Sequence, residues 1–297
     1  MTDLTHVLLP LLHALPRAIA VDLDGTLLDS RTRLSERNRK ALEDCITAGL
    51  PVIIATARAT RTVNRILPPE VRNACSVVIM NGAIATGRPP LSGQFREALP
   101  EDVCGRIIEV ATTHDQPVRI TIEIDGWEFG ANWTADAATL WERNRATPDM
   151  LIPIEEAVVR QPTKLALSCP DGDNRGLADR LRKSLGETVS VVPSIYGRPL
   201  LNVTSPRASK PIALGRLLSP AGISLQDLIA FGDDVPDIDM LQQCGMSVAM
   251  ENGLPEVKVV CQYCTASNDE DGVAIVLEKV LAAMRERNRD SGPKAAP

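Results

Sequence analysis

Four short apolar runs, each closed by polar residues, constrain this chain most: "AIAVDLD" ending at Asp24, "LPVIIATAR" at Arg58, "CSVVIMNGA" around Asn81, and "DLIAFGDD" at Asp234. Each run is nearly all apolar instead of alternating, the mark of a strand buried on both faces. Helix-like segments lie between them. In "LSERNRKALEDCITAG", Ser35 offers an N-cap, Ala41, Leu42, Cys45 and Ile46 share one face, and Gly49 closes the helix. Strand–helix–strand alternation of this kind predicts a parallel sheet covered on both faces.

The style changes after residue 84. "PVRITIEIDGWEFGANW" alternates apolar and polar residues around Asp125-Gly126, the pattern of a hairpin in a half-exposed antiparallel sheet. "PTKLALSCP", a helix near 174–186, "VSVVPSIYG" and "RPLLNVT" continue it. The parallel style then returns with "SKPIALGRLLSPAG" as a helix, "DLIAFGDD" and "GMSVAM" as strands, and "DGVAIVLEKVLAAMRER" as a closing helix. The expected fold is therefore α/β: a Rossmann-like parallel-sheet core with an inserted α+β domain. Residues 1–84 form the first part of the core, with an extension over 1–17 lying on it. Residues 85–198 form the insert, 199–287 complete the core, and 288–297 form a disordered tail.

With 297 residues the chain has ample material for a core, and a net charge of -6 argues against nucleic acid or an anionic membrane as a partner. The apolar run from Val7 to Leu15 is broken by Pro10 and too short to span a bilayer. The seven cysteines have no framework spacing, which suits a reducing, cytoplasmic setting. Cys261 and Cys264 have metal-like spacing but no second pair, so they read as thiols. The three histidines show no partner pattern.

In an open parallel sheet, ligands bind beyond the carboxyl ends of the strands. Asp22 and Asp24, Thr56 and Arg58, Asn81 and Gly82, and Asp233, Asp234 and Asp237 all fall at that rim. Carboxylates gathered at one rim repel each other unless a hard cation such as Mg²⁺ sits among them. One carboxylate can then attack phosphorus while a second, two residues on, moves the proton. Thr56 supplies a hydroxyl for the phosphoryl oxygens, and Lys210, opening a helix, supplies a cation.

"DLDGT", "ATAR", Lys210 and "GDDVPD" resemble the four ordered motifs of the haloacid dehalogenase-like phosphatases. The insert and "SNDEDGVA" resemble the α+β cap and closing segment of the Cof-type sugar-phosphate phosphatase branch. The resemblance implies a Mg²⁺-dependent phosphomonoesterase acting on a small phosphorylated metabolite, a monomer or homodimer, with no nucleic acid or membrane involved. It makes Asp22 the nucleophile and a metal ligand, and Asp24 the acid/base with its backbone carbonyl on the metal. Thr56 and Lys210 bind the phosphoryl group, Asp233 is a further ligand, and Asp237 orients metal-bound water. Gly25, Arg58, Asn81 and Gly82 fall near the substrate.

Three positions depart from the family pattern. Pro236 stands where an asparagine is usual, a contact that could pass to Asn252; Glu251 and Pro211 stand where glycine is usual. Pro211 suits a first helical turn. Asp234 reads as a cap for the segment holding Asp237. In the insert, Arg119, Glu123, Trp127 and Lys164 are candidates to face the substrate, whereas Trp133 and Trp141 read as packing residues. Two other readings share these residues: a phosphosugar mutase using the same phospho-aspartate, and a catalytically weak sensor of phosphorylated metabolites.

Overall fold

A computed structural model describes residues 2–3, 15–170, 173–194 and 199–290. The core is one sheet in the order β1-β15-β14-β13-β2-β3-β4-β5-β6. Its strands are Thr2–Asp3 (β1), Ala18–Val21 (β2), Val52–Ala55 (β3), Ser76–Ile79 (β4), Ile84–Thr86 (β5), Gln94–Arg96 (β6), Leu228–Gly232 (β13), Met246–Ala249 (β14) and Tyr263–Cys264 (β15). From β1 across to β4 every pairing is parallel; β5 and β6 add on antiparallel.

Buried strands with no polar face need cover on both sides, and the alternation divides their side chains accordingly. Ile19, Val21, Val52 and Ile54 pack with Leu42, Cys45, Leu277 and Leu281, from the helices Glu36–Thr47 and Gly272–Asp290. Ala18, Ala20, Ile53 and Ala230 pack with Leu214, Leu217, Met240 and Leu241, from the helices Lys210–Leu218 and Ile238–Gln243. The chain runs outward from β2 to β3 and β4, then returns to build β13 on the other side of β2. That reversal opens a crevice at the carboxyl ends of β2 and β13.

The insert is a second sheet in the order β11-β12-β10-β7-β8-β9, from Arg119–Ile124 (β7), Glu128–Ala131 (β8), Leu151–Ile152 (β9), Lys164–Ser168 (β10), Ser190–Ser194 (β11) and Leu200–Thr204 (β12). Asp125 and Gly126 both take positive φ, 50° and 72°, in the hairpin turn expected from their sequence. One face of this sheet, with Ile120, Ile122, Leu165, Leu167, Leu201 and Val203, packs on the helices Glu101–Thr112 and Arg175–Leu185.

The domain boundaries differ from the sequence reading. Residues 85–96 extend the core sheet instead of opening the insert, because β5 pairs back onto β4 and β6 onto β5. At the other end, β12 pairs with β10 and β11, so Leu200–Thr204 belongs to the insert. The closing helix runs to Asp290, so residues 288–290 are helical where a disordered tail was expected. Most of the N-terminal extension and residues 291–297 lie outside the described residues, although Thr2–Asp3 pairs with the edge strand β15. Among the described residues no helix is long and apolar enough to cross a membrane.

Candidate active site

Asp22 leaves the end of β2 as a buried residue, and Lys210 Nζ donates to its Oδ1 at 2.8 Å and to Asp237 Oδ1 at 2.5 Å. Lys210 is the first residue of its helix; Ser209 caps that helix by accepting from Ile212 N, and Pro211 fills the first turn. The turn after β4 presses on this cap. A Cβ on Gly82, whose φ is +96°, would lie 2.3 Å from Ser209 O, so only glycine permits the approach. Asn81, also at positive φ, donates its N–H to Thr56 O. Asn81 and Gly82 thus join the Thr56 loop to the Lys210 helix.

Asp233 follows β13, and its Oδ1 accepts from Thr26 Oγ1 at 2.6 Å. Asp22, Asp233 and Asp237 each place a carboxylate oxygen within 4.8 Å of the others, all three buried. Burial is the largest influence on Asp22 and pushes its carboxyl up to about 8; Asp237 and Asp24 add to this, and Lys210 opposes it. Burial, then Asp237 and Asp22, push Asp233 up to about 9. Burial disfavours the Lys210 charge, but the Asp22 and Asp237 carboxylates outweigh it and hold the ammonium above its ordinary value.

The one ammonium pairs with Asp22 and Asp237 but not with Asp233. Full ionisation of the three carboxylates would leave an excess of two negative charges, and their repulsion adds to burial in pushing the Asp22 and Asp233 carboxyls up. An all-oxygen donor set with that excess fits a hard dication. Asp237 is the least free of the three. Its Oδ1 takes Lys210, and its Oδ2 accepts from Asp233 N at 3.1 Å and Asp234 N at 3.2 Å. Asp22 and Asp233, each with one oxygen taken by a side-chain donor, keep a freer second oxygen than Asp237 does.

A cavity of about 720 Å³ lies over this cluster, between core and insert, lined on the core side by Asp22, Asp24, Thr56, Arg58, Pro236 and Asp237. Arg58 grips the Asp24 carboxylate with two hydrogen bonds, each at 2.5 Å. Thr56 Oγ1 accepts from Arg58 N at 3.2 Å. Asp234 caps the short turn Val235–Asp237 by accepting from Val235 N at 2.7 Å, and Pro236 sits in that first turn, where a missing N–H costs nothing. Asn252 does not reach the cavity wall. Its Nδ2 donates to Gly25 O at 2.7 Å and its Oδ1 accepts from Asn268 N at 2.9 Å, so it braces the turn after β2 instead of standing in for the missing asparagine.

From the insert, Arg119, Glu123 and Lys164 face the cavity, as does Trp133, which was read as packing and also stacks on Phe129 at 6.1 Å. Trp127 is half exposed, outside the cavity's lining. Glu123 is gripped by the buried Arg61, from the helix Thr60–Ile66, with bonds of 2.6 and 2.8 Å; Arg61 also donates to Asn144 O and Gly126 O. Burial works against the Glu123 charge, yet Arg61 more than offsets it. Gly126 packs its backbone on Thr60, where a Cβ would meet Thr60 N at 2.4 Å. Replacing Glu123 with Ala leaves Arg61 buried and unpaired, with an expected stability loss of about 3–5 kcal/mol. Urea unfolding of both proteins measures it, and a loss under about 1 kcal/mol refutes a buried ion-pair latch.

Sequence reasoning missed Thr26, Arg61 and Asn202. Thr26 sits inside the "DLDGT" run, and Asn202 is the polar position flanked by Leu201 and Val203, a signal available from alternation alone.

A family model for haloacid dehalogenase-like hydrolases matches residues 19–277. The chain belongs to that family. It is 27% identical over 283 residues to the 5-amino-6-(5-phospho-D-ribitylamino)uracil phosphatase YwtE of Bacillus subtilis, covering 90% of this chain and 98% of that one. It is also 27% identical over 268 residues to the chloroplastic endoribonuclease YBEY of Arabidopsis thaliana, covering 86% of this chain but only 45% of that protein. A crystal structure of a haloacid dehalogenase-like hydrolase from Bacteroides thetaiotaomicron has the same fold, with a TM-score of 0.73, 24% identity, and coverage of 89% of this chain and 99% of that one. With this family and phosphatases among its relatives, the chain is a hydrolase of the phosphomonoesterase kind.

Proposed function

We propose that this enzyme hydrolyses a small phosphorylated metabolite, a sugar phosphate, through a phospho-aspartate on Asp22, with Mg²⁺ as cofactor. The observation that carries this reading is the buried group of Asp22, Asp233, Asp237 and Lys210 at the floor of a metabolite-sized cavity. Asp22, the Asp24 carbonyl and Asp233 would hold the ion, which supplies Lewis-acid stabilisation of phosphoryl charge when bound.

The chain's own groups carry the rest. An Asp22 carboxylate oxygen forms a bond to phosphorus as the phosphorus–ester oxygen bond breaks, and Asp24 gives its proton to the departing alkoxide. Asp24 then takes a proton from a water whose oxygen attacks phosphorus, releasing phosphate and restoring the Asp22 carboxylate. Lys210 and Thr56 hold the phosphoryl oxygens. Arg58 holds both Asp24 oxygens at the cavity wall, so one of them is released from the guanidinium and protonated before Asp24 gives its proton to the alkoxide. The relative YwtE is named for a substrate with a phosphorylated ribityl chain, which supports a polyhydroxylated phosphoester as the class.

Phosphate release from a panel of phosphorylated sugars, with Mg²⁺ and after chelation, tests the reading. Chelation is expected to reduce the rate by at least roughly 10²-fold, with recovery on adding Mg²⁺. Full turnover in a chelator overturns the metal assignment, and transfer of phosphoryl to the sugar without free phosphate overturns hydrolysis.

A further inference from the structure

The insert's ceiling over the cavity carries one buried donor with no acceptor, on Asn202, and one buried cation with no counter-charge of its own, Lys164. In β10, Lys164, Ala166 and Ser168 point to the cavity, while Leu165 and Leu167 enter the insert's core. Ala166 lies opposite Asn202 on β12 and Thr121 on β7, so this small residue leaves a notch between polar neighbours, with Lys164 two residues along the same face.

Asn202 is 1% exposed and lines the cavity, yet its Nδ2 has no hydrogen-bond partner. Such an unpaired buried donor is costly and rare in a folded protein. Lys164 is similarly buried, and its Nζ has one hydrogen bond, to the Ala57 carbonyl at 2.8 Å. Its cross-strand neighbour Glu123 does not neutralise it, because both Glu123 oxygens are taken by Arg61. Arg61, Glu123 and Lys164 together leave one buried positive charge facing the cavity. Burial lowers the Lys164 ammonium to about 8, consistent with a cation not yet matched by an anion.

We infer that Lys164 and Asn202, flanking Ala166, form a specificity notch that reads an acceptor oxygen on the non-phosphate body of the substrate. The chemistry it selects is a hydrogen-bond acceptor, a hydroxyl or carbonyl oxygen or a carboxylate, held between the Lys164 ammonium and the Asn202 amide. The Thr121 hydroxyl and Trp133, whose Nε1 donates to Thr121 Oγ1 at 3.1 Å, complete the wall beside it. This rests on the phosphatase reading above and deepens it by assigning the residues that choose the leaving group.

The test compares kcat/KM for glucose 6-phosphate, ribose 5-phosphate and gluconate 6-phosphate with that for para-nitrophenyl phosphate, which offers no acceptor oxygen beyond its nitro group. The variants are Asn202→Leu, Asn202→Ala and Lys164→Met. The wild-type enzyme prefers at least one of the three sugar phosphates. Each variant loses that preference by about tenfold or more, as the ratio of the two kcat/KM values. The Asn202→Ala variant separates a lost bond from a filled notch. Gluconate 6-phosphate losing most in Lys164→Met marks a carboxylate as the acceptor; equal losses on all three mark a hydroxyl or carbonyl oxygen.

Thermal melts supply the readout a structural role would move. Removing an unmatched donor or charge leaves Tm unchanged or raises it, whereas a packing role lowers it in step with activity on every substrate. Intact preference in all three variants overturns the inference, as does a wild-type enzyme that favours none of the sugar phosphates over para-nitrophenyl phosphate. Absence of phosphate release from every compound, para-nitrophenyl phosphate included, overturns the phosphatase reading itself.

Discussion

Asp22→Asn is expected to lower phosphate release by roughly 10⁴-fold or more, the scale seen when a covalent nucleophile is removed from an otherwise intact site. The neutral amide keeps the shape of the side chain but offers no anionic oxygen to phosphorus. The fold should survive the change. Burial opposes the Asp22 charge, and Asp237 and Asp24 repel it, so removing that charge relieves more than the lost Lys210 pairing costs. Lys210 retains Asp237 at 2.5 Å as its partner. The expected result is a protein with a Tm at or above that of the wild type and no measurable burst of phospho-enzyme. Stopped-flow phosphate detection and thermal melts read both quantities. Turnover within tenfold of wild type would remove Asp22 from the role of nucleophile.

How far these roles were legible depended on whether they sat in the local pattern. Asp22, Asp24, Thr56, Asn81 and Asp233 close buried strands, and a parallel sheet brings strand ends to one rim whatever the intervening sequence does. Lys210 was legible as the start of a capped helix. What the sequence could not convey was which groups would pair once brought together. Arg58 and Asp24 are far apart in sequence, as are Arg61 and Glu123, and neither pairing leaves a periodic trace. Asn252 read as a substitute for the amide lost at Pro236, yet Gly25 and Asn268 occupy it from positions no spacing rule connects. The insert's first boundary moved for a related reason: β5 and β6 have three residues each, and only the strands they pair with assign them to a sheet. By contrast, "RPLLNVT" carried the insert's style, and β12 was lost from it only by a boundary drawn at 198.

Removal of the Lys210 ammonium separates its electrostatic role from its role in the fold. In Lys210→Met the three carboxylates of Asp22, Asp233 and Asp237 remain buried together with no cation among the side chains. Leaving a buried charge unmatched costs about 3–5 kcal/mol, a loss that urea unfolding resolves easily. The catalytic loss should be roughly 10²–10³-fold, since a preorganised charge on the phosphoryl oxygens is gone while Asp22 and Asp24 remain. Lys210→Arg should not rescue it, because a planar guanidinium does not fit where one compact ammonium donates to both Asp22 and Asp237. Added Mg²⁺ provides the discriminating measurement. With the ammonium gone, a bound dication is the one positive partner left for these carboxylates in their ionised form, so saturating Mg²⁺ should raise the variant's Tm by more than it raises that of the wild type. An equal or smaller rise in the variant would mean that Lys210 and the cation do not share the same charge, and the reading of this cluster as a dication site would fail with it.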